Sequence, residues 1–268
     1  MSVPMFIVDA FTKLPFAGNP AAVCLLPAWR SDTWMQSVAA EMNLAETAFI
    51  VAEGSRFGLR WFTPAVEVPL CGHATLASSH VLFDSGRAPA ERPIEFMSAS
   101  GLLTAIRAHD RIELDFPAIP VTKCDPPEGL AQGIGVTPDF VARTAPRGVR
   151  GDVDYLCVLR DAETVSSLRP DVAQLRRVNG GVIVTARGSG PYAIVSRFFA
   201  PGYGIDEDPV TGGAHCALTP YWAPLLGRER FLAWQASPRG GELEVTLRGD
   251  RVALAGHAVT VLSGECRV

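Results

Sequence analysis

Several signatures that would place a chain quickly are missing from this one. The six cysteines (Cys24, Cys71, Cys124, Cys157, Cys216 and Cys266) are scattered without a CxxC pair. They read as reduced thiols rather than a disulfide framework or a zinc ribbon. No HxxxH and no Cys/His cluster at ligand spacing occurs, so no metal is expected. Neither GxGxxG nor a phosphate loop ending in Lys-Ser/Thr is present, so no nucleotide is expected. The GxSxG elbow of serine hydrolases is also absent. Charge is never blocked into runs of one sign, and the net value is −4. That balance argues against nucleic acid or an anionic membrane as the main partner. No apolar run reaches the roughly 18 residues of a spanning helix. No basic-then-apolar leader precedes "MFIVDAF", so the expected location is cytoplasmic.

What is abundant is turn chemistry: Gly 25 and Pro 21 imply a strand-rich protein. Short strands are predicted at 5–11, 21–26, 47–52 and 57–63, then at 93–97, 101–108 and 111–116. A helix follows Ser31 or Asp32, with Trp34, Met35, Val38, Ala39 and Met42 on one face and Asn43 as its left-handed stop. Residues 72–86 read as a helix that is apolar nearly all round, hence buried. The second half repeats the plan loosely, with a strand at 155–160, a helix at 171–179, and a mostly apolar helix at 213–227 broken or kinked near Pro220 or Pro224. Strands close the chain. The Pro- and Gly-rich stretch near 117–135 reads as a linker.

Two pieces invite superposition: "RWFTPAVEVPLCGHATL" (60–76) and "RFFAPGYGIDEDPVTGGAHCAL" (197–218). Each runs from Arg-aromatic-Phe through a proline and an acidic loop to a glycine turn and a small-residue helix. This suggests two copies of one unit, each a sheet around a buried helix, with a cleft between them. A helix start offers unpaired N–H groups and partial positive charge. Two such starts, at Gly72 and at Gly212-Gly213, would hold a small carboxylate. Asp206, Glu207 and Asp208 stand just before the second start, where negative charge is favoured; Asp208, nearest the turn, is the candidate for a role in the site. "NLAETAFIV" sets Glu46 among apolar neighbours, and a desolvated carboxylate suits a group that takes and returns a proton. His73 at the first helix start is the candidate partner, with His215 as its match in the second turn, one position later. His80 reads as structural, and His109 and His257 carry no signal.

These motifs, with "DAFTKLPFAGNPAAVCLL" (9–26) and "MNLAETAFI" (42–50), resemble the phenazine-biosynthesis PhzF-like isomerase family over essentially the whole length. The resemblance implies an α+β protein of diaminopimelate-epimerase-like fold: two pseudo-symmetric domains, each a curved, mostly antiparallel sheet wrapped around a central helix. The domains are expected at 1–118 and 119–256, with a final strand near 257–268 pairing back with the first. It further implies a homodimer without a cofactor, Glu46 as acid/base, and His73 and Asp208 in the site. Gly72, Gly212 and Gly213 would stand at the helix starts, and Asn19 of the "GNP" turn would border the substrate. In the phenazine enzyme the matching glutamate removes a proton from a ring carbon of a dihydro-hydroxyanthranilate and returns it elsewhere. Where many relatives have serine, this chain has Gly213. Two rival readings remain: a two-base racemase or epimerase using Cys71, and a metabolite-binding protein without turnover.

Overall fold

The computed structural model describes residues 2–146 and 153–267. The chain divides into two compact units: Met1–Phe116 with Ala253–Val268, and Pro117–Val252. The first begins with β1 (Ser2–Ala10), β2 (Asn19–Leu26), α1 (Asp32–Met42), β3 (Glu46–Glu53), β4 (Arg56–Phe62) and β5 (Glu67–Val68). It continues with α2 (Gly72–Asp84), β6 (Ile94–Ser98), β7 (Gly101–Ala108) and β8 (Arg111–Pro117). The second runs through β9 (Val121–Lys123), α3 (Leu130–Ile134), β10 (Phe140–Thr144), β11 (Asp154–Val158), α4 (Ala162–Ser167), α5 (Val172–Leu175) and β12 (Gly181–Arg187). Then follow β13 (Ile194–Ala200), β14 (Ile205–Asp208), α6 (Gly212–Leu226), β15 (Arg230–Gln235) and β16 (Gly241–Arg248). Strand β17 (Arg251–Gly256) leads back to β18 (Ala258–Arg267), which lies antiparallel on β1 in the first unit.

Strand pairing shows the repetition that the two glycine turns suggested. In the first unit β1 is antiparallel to β2, and β2 runs parallel to β3 through the α1 crossover. Strand β3 is antiparallel to β4, and β4 runs parallel to β6 through α2. In the second unit β10, β11, β12, β13 and β15 follow the same sequence of antiparallel and parallel steps, with α4–α5 and α6 as the crossovers. Even the added outer strand recurs: β18 on β1, β9 on β10. The other pairs among these strands are antiparallel, as expected for the α+β class.

Alternation along the strands sorts the first unit's faces. Cys24 and Leu26 of β2 and Phe49 and Val51 of β3 join Met35, Val38 and Ala39 of α1 in one core cluster. Residues of the opposite parity, Asn19 and Glu46 among them, therefore face the other side, where α2 packs on β1, β2 and β3. Helix α1 has the ends read from sequence: the Ser31 hydroxyl accepts from the Trp34 N–H, and Asn43 closes it with φ 50°. Helix α2 is buried despite a Thr-Ser-Ser content because those hydroxyls bond back into the helix. Thr75 Oγ1 donates to the Cys71 carbonyl (2.5 Å), Ser78 Oγ to that of Ala74 and Ser79 Oγ to that of Thr75 (both 2.7 Å).

Three expectations are corrected. The stretch 117–135 is not a linker: it holds β9 and α3, and Leu130 and Ile134 are fully buried in the second core. Prolines and glycines masked elements too short to show periodicity. The helix read at 171–179 is only α5, four residues long, and α4 before it went unread. Helix α6 is not broken at Pro220 or Pro224 but continues through both. Proline lacks the N–H that would bond the carbonyl four residues earlier. At Pro220 that carbonyl belongs to Cys216, and it accepts instead from the Ile119 N–H at 2.9 Å.

Candidate active site

Three element starts in the first unit converge. Asn19 opens β2, Glu46 opens β3 and His73 is the second residue of α2. The parallel register pairs Ala21 with Glu46, which sets Asn19 and Glu46 on one face beneath α2. Gly18 makes the entry to β2 possible: its φ is +64°, and a Cβ there would run into the Ala10 carbonyl oxygen.

His73 Nε2 lies 3.1 Å from Glu46 Oε2, and both side chains are almost wholly buried. Neither atom makes an aligned hydrogen bond within the structure, so the pair meets at ion-pair distance with bonding capacity left over. On the far side of the ring, His73 Nδ1 lies 3.0 Å from Asn19 Nδ2 and 3.5 Å from Cys71 Sγ. Burial works against a charged imidazole, and the neighbouring Cys71 and Glu46 work the other way. Burial, then the Glu46 charge, pushes the Cys71 thiol up to about 11. Cys71 is therefore a neutral thiol near pH 7, and Glu46 is the partner that matters to His73 there. Glu46, Cys71 and His73 are close enough to resemble a metal-ligand group. The ring turns Nε2 to the carboxylate and Nδ1 to the thiol.

The second turn is built differently. Thr211 Oγ1 donates to Asp208 Oδ2 at 2.6 Å. Gln235, buried at the end of β15, donates through Nε2 to the Asp208 carbonyl (2.7 Å) and accepts from the Thr211 N–H at Oε1 (2.9 Å). Thr211 and Gln235 were not singled out in the sequence; Gln235 lies 24 residues beyond the turn, reached only through the β13–β15 pairing. The three consecutive acids separate into three roles. Asp206 pairs with Arg176 in solvent, Glu207 takes a bidentate contact from buried Arg197 (2.7 and 2.9 Å), and Asp208 serves the turn.

Gly72 and Gly212 are the first residues of α2 and α6, and neither helix start has a side-chain cap, so backbone N–H groups remain for a ligand. Gly213 faces open space: a Cβ built there meets nothing within 4 Å. His215 does not match His73. It is the fourth residue of α6 and its Nδ1 donates to the Thr211 carbonyl at 2.8 Å, as Thr75 does to Cys71 in α2. Burial pushes His215 down to about 4. The residue matching His73 is Gly213. His80 contacts Thr260 (3.0 Å) and His257 contacts Asp110 (2.9 Å), both outside the cluster.

The chain belongs to the phenazine biosynthesis-like (PhzC-PhzF) family, whose model matches residues 8–264. It is 48% identical to an uncharacterized isomerase of Halalkalibacterium halodurans, over 99% of this chain and 98% of that protein. It is 50% identical to an uncharacterized isomerase of Pseudomonas aeruginosa, over the full length of both. A phenazine biosynthesis protein of the PhzF family from Enterococcus faecalis superposes with TM-score 0.92 at 41% identity, with both chains fully covered. The fold is thus the diaminopimelate-epimerase-like one that the motifs implied.

Proposed function

We propose that this protein is a cofactor-independent isomerase that moves a proton on a small carboxylate-bearing metabolite, with Glu46 as its acid/base. The observation that carries this reading is the buried Glu46–His73 pair, 3.1 Å apart and with neither atom in an aligned hydrogen bond. A carboxylate held in apolar surroundings with unused acceptor capacity is suited to accept a proton from carbon. In the proposed step Glu46 removes a proton from a carbon next to a conjugated system, and the C–H electron pair enters that system. The same carboxyl group, now protonated, delivers the proton to a second carbon. The substrate is rearranged without net oxidation, and Glu46 ends as it began. The free N–H groups at Gly72, Gly212 and Gly213 suit a substrate carboxylate, and Asp208, fixed by Thr211, suits a substrate amine or hydroxyl. The names of the two bacterial relatives support the isomerase class.

A two-thiol racemase is disfavoured. Cys71 stands at the residue before α2, but Thr211 holds that place before α6, and Cys216 is buried within the helix. The test is incubation in D₂O with trans-2,3-dihydro-3-hydroxyanthranilate and related unsaturated cyclic amino acids, followed by NMR. Deuterium entry that is lost in Glu46→Gln supports the reading. Exchange that survives Glu46→Gln but is lost in Cys71→Ala would transfer the role to the thiol. Tight binding without exchange would favour a binding protein.

A further inference from the structure

The Glu46–His73 pair leaves open which ring nitrogen carries the proton, and Asn19 bears on that question. Asn19 is fully buried, and its Nδ2 stands 3.0 Å from His73 Nδ1. An amide nitrogen only donates, so the ring nitrogen facing it must accept. A histidine's tautomer is set by the hydrogen bond its other nitrogen makes. We propose that Asn19 is a positioning residue that keeps His73 Nδ1 unprotonated and fixes the ring's single proton on Nε2, facing the Glu46 carboxylate. The proposal rests on reading Glu46 as the proton carrier.

The chemical consequence is specific. A neutral ring with its proton on Nε2 can orient the Glu46 carboxylate without placing a full positive charge beside it. A charged imidazolium in the same place would stabilise the carboxylate more strongly and make it a weaker base. The titratable groups acting on the ring are Glu46, from the start of β3, and Cys71, just ahead of α2. Near neutral pH Glu46 draws His73 toward the charged form, but that form needs a proton on Nδ1, where the Asn19 amide stands. Cys71 offers no competing anion near neutral pH, because its thiol stays protonated. Asn19 thus opposes a pull that Glu46 exerts. The "GNP" turn brings it there: Gly18 supplies the left-handed turn that β2 needs to start at Asn19.

The experiment is long-range ¹H–¹⁵N correlation NMR of the ¹⁵N-histidine-labelled protein from pH 6 to 8, with the His73 signals assigned by their loss in His73→Gln. The wild type is expected to show an Nε2-protonated neutral ring throughout. Asn19→Asp is expected to protonate Nδ1 and give an imidazolium, and Asn19→Leu to let the ring gain a second proton. An imidazolium or an Nδ1–H tautomer in the wild type overturns the proposal, as does an unchanged Nε2–H ring in both variants. If neither variant folds, the wild-type spectrum still decides. The readout needs no turnover, so failure of the deuterium-exchange test would leave this result standing or falling separately.

Discussion

Compared strand by strand, the two halves keep the same frame and differ at the atoms proposed to do the chemistry. In each, an arginine on one strand grips a glutamate on the short strand that follows: Arg60 with Glu67, Arg197 with Glu207. In each, the fourth residue of the central helix bonds the carbonyl just before that helix. The ladder pairs Phe49 with Arg60 and Val184 with Arg197, so Glu46 corresponds to Gly181. By helix position His73 corresponds to Gly213. The carboxylate and its imidazole partner thus exist in one half, with glycine in both places in the other. A Cβ at Gly181 would crowd Asp154 and the Phe198 ring, so that glycine is required by packing, whereas Gly213 is not. The frame recurs in both halves, and the proposed proton chemistry sits on one copy of it.

The largest effect expected from breaking this asymmetry is on turnover. Glu46→Gln should lower deuterium exchange by about 10²–10⁴-fold, while His215→Gln in the other half should leave it nearly unchanged. Rates by NMR and melting temperatures by circular dichroism, taken together, separate lost chemistry from lost folding.

Next in size is the arginine clamp, where the halves differ in burial. Arg197 is 7% exposed and also donates to the Leu168 carbonyl at 2.9 Å, whereas the Arg60 side chain is 26% exposed. Arg197→Ala should destabilise by about 3–5 kcal/mol, because it strands a largely buried carboxylate. Arg60→Ala should lose about 1 kcal/mol or less. Urea midpoints of the two variants test the contrast, and equal losses would show that burial does not separate them.

The histidines give a pH test. His215 is held near pKa 4 in the fold, against the ordinary 6.5. Between those values the unfolded chain binds more protons, so stability must fall as pH drops from about 6.5 toward 4, by about 3 kcal/mol in all. His215→Leu should flatten that part of the curve in denaturant titrations run at several pH values, even if it lowers stability at pH 7.

The smallest expected effect is at Gly213. Gly213→Ser adds a side chain into open space in a helix, and should raise stability by about 0.5 kcal/mol or less. A loss of more than 1 kcal/mol in the same titration would mean that the position is closed.

The sequence made the glycine turns, the α1 caps, the buried α2 and the isolation of Glu46 legible, because each is a local pattern of a few residues. Contacts made across sheet pairings were not. Asn19 meets His73 54 residues away, and Gln235 holds a turn 24 residues before it. The match of His215 with His73 failed for a related reason: only the helix start sets the phase, and it pairs His73 with Gly213. The stretch 117–135 failed because β9 and α3 are three and five residues long and set among prolines and glycines. Their membership in the second unit comes from pairing with β10 and from the bond of Ile119 to Cys216.

The return of β18 to β1 reverses the order of assembly relative to the order of synthesis. The second unit is one continuous stretch, complete when residue 252 has been made. The first unit is begun earlier but leaves one side of β1 without its neighbour until the last ten-residue strand emerges. A strand edge left open is a place where other chains can add, and domains fold as units once their residues are available. On the ribosome, then, the half carrying Glu46 and His73 is the last to close, and the half that lacks them is finished first.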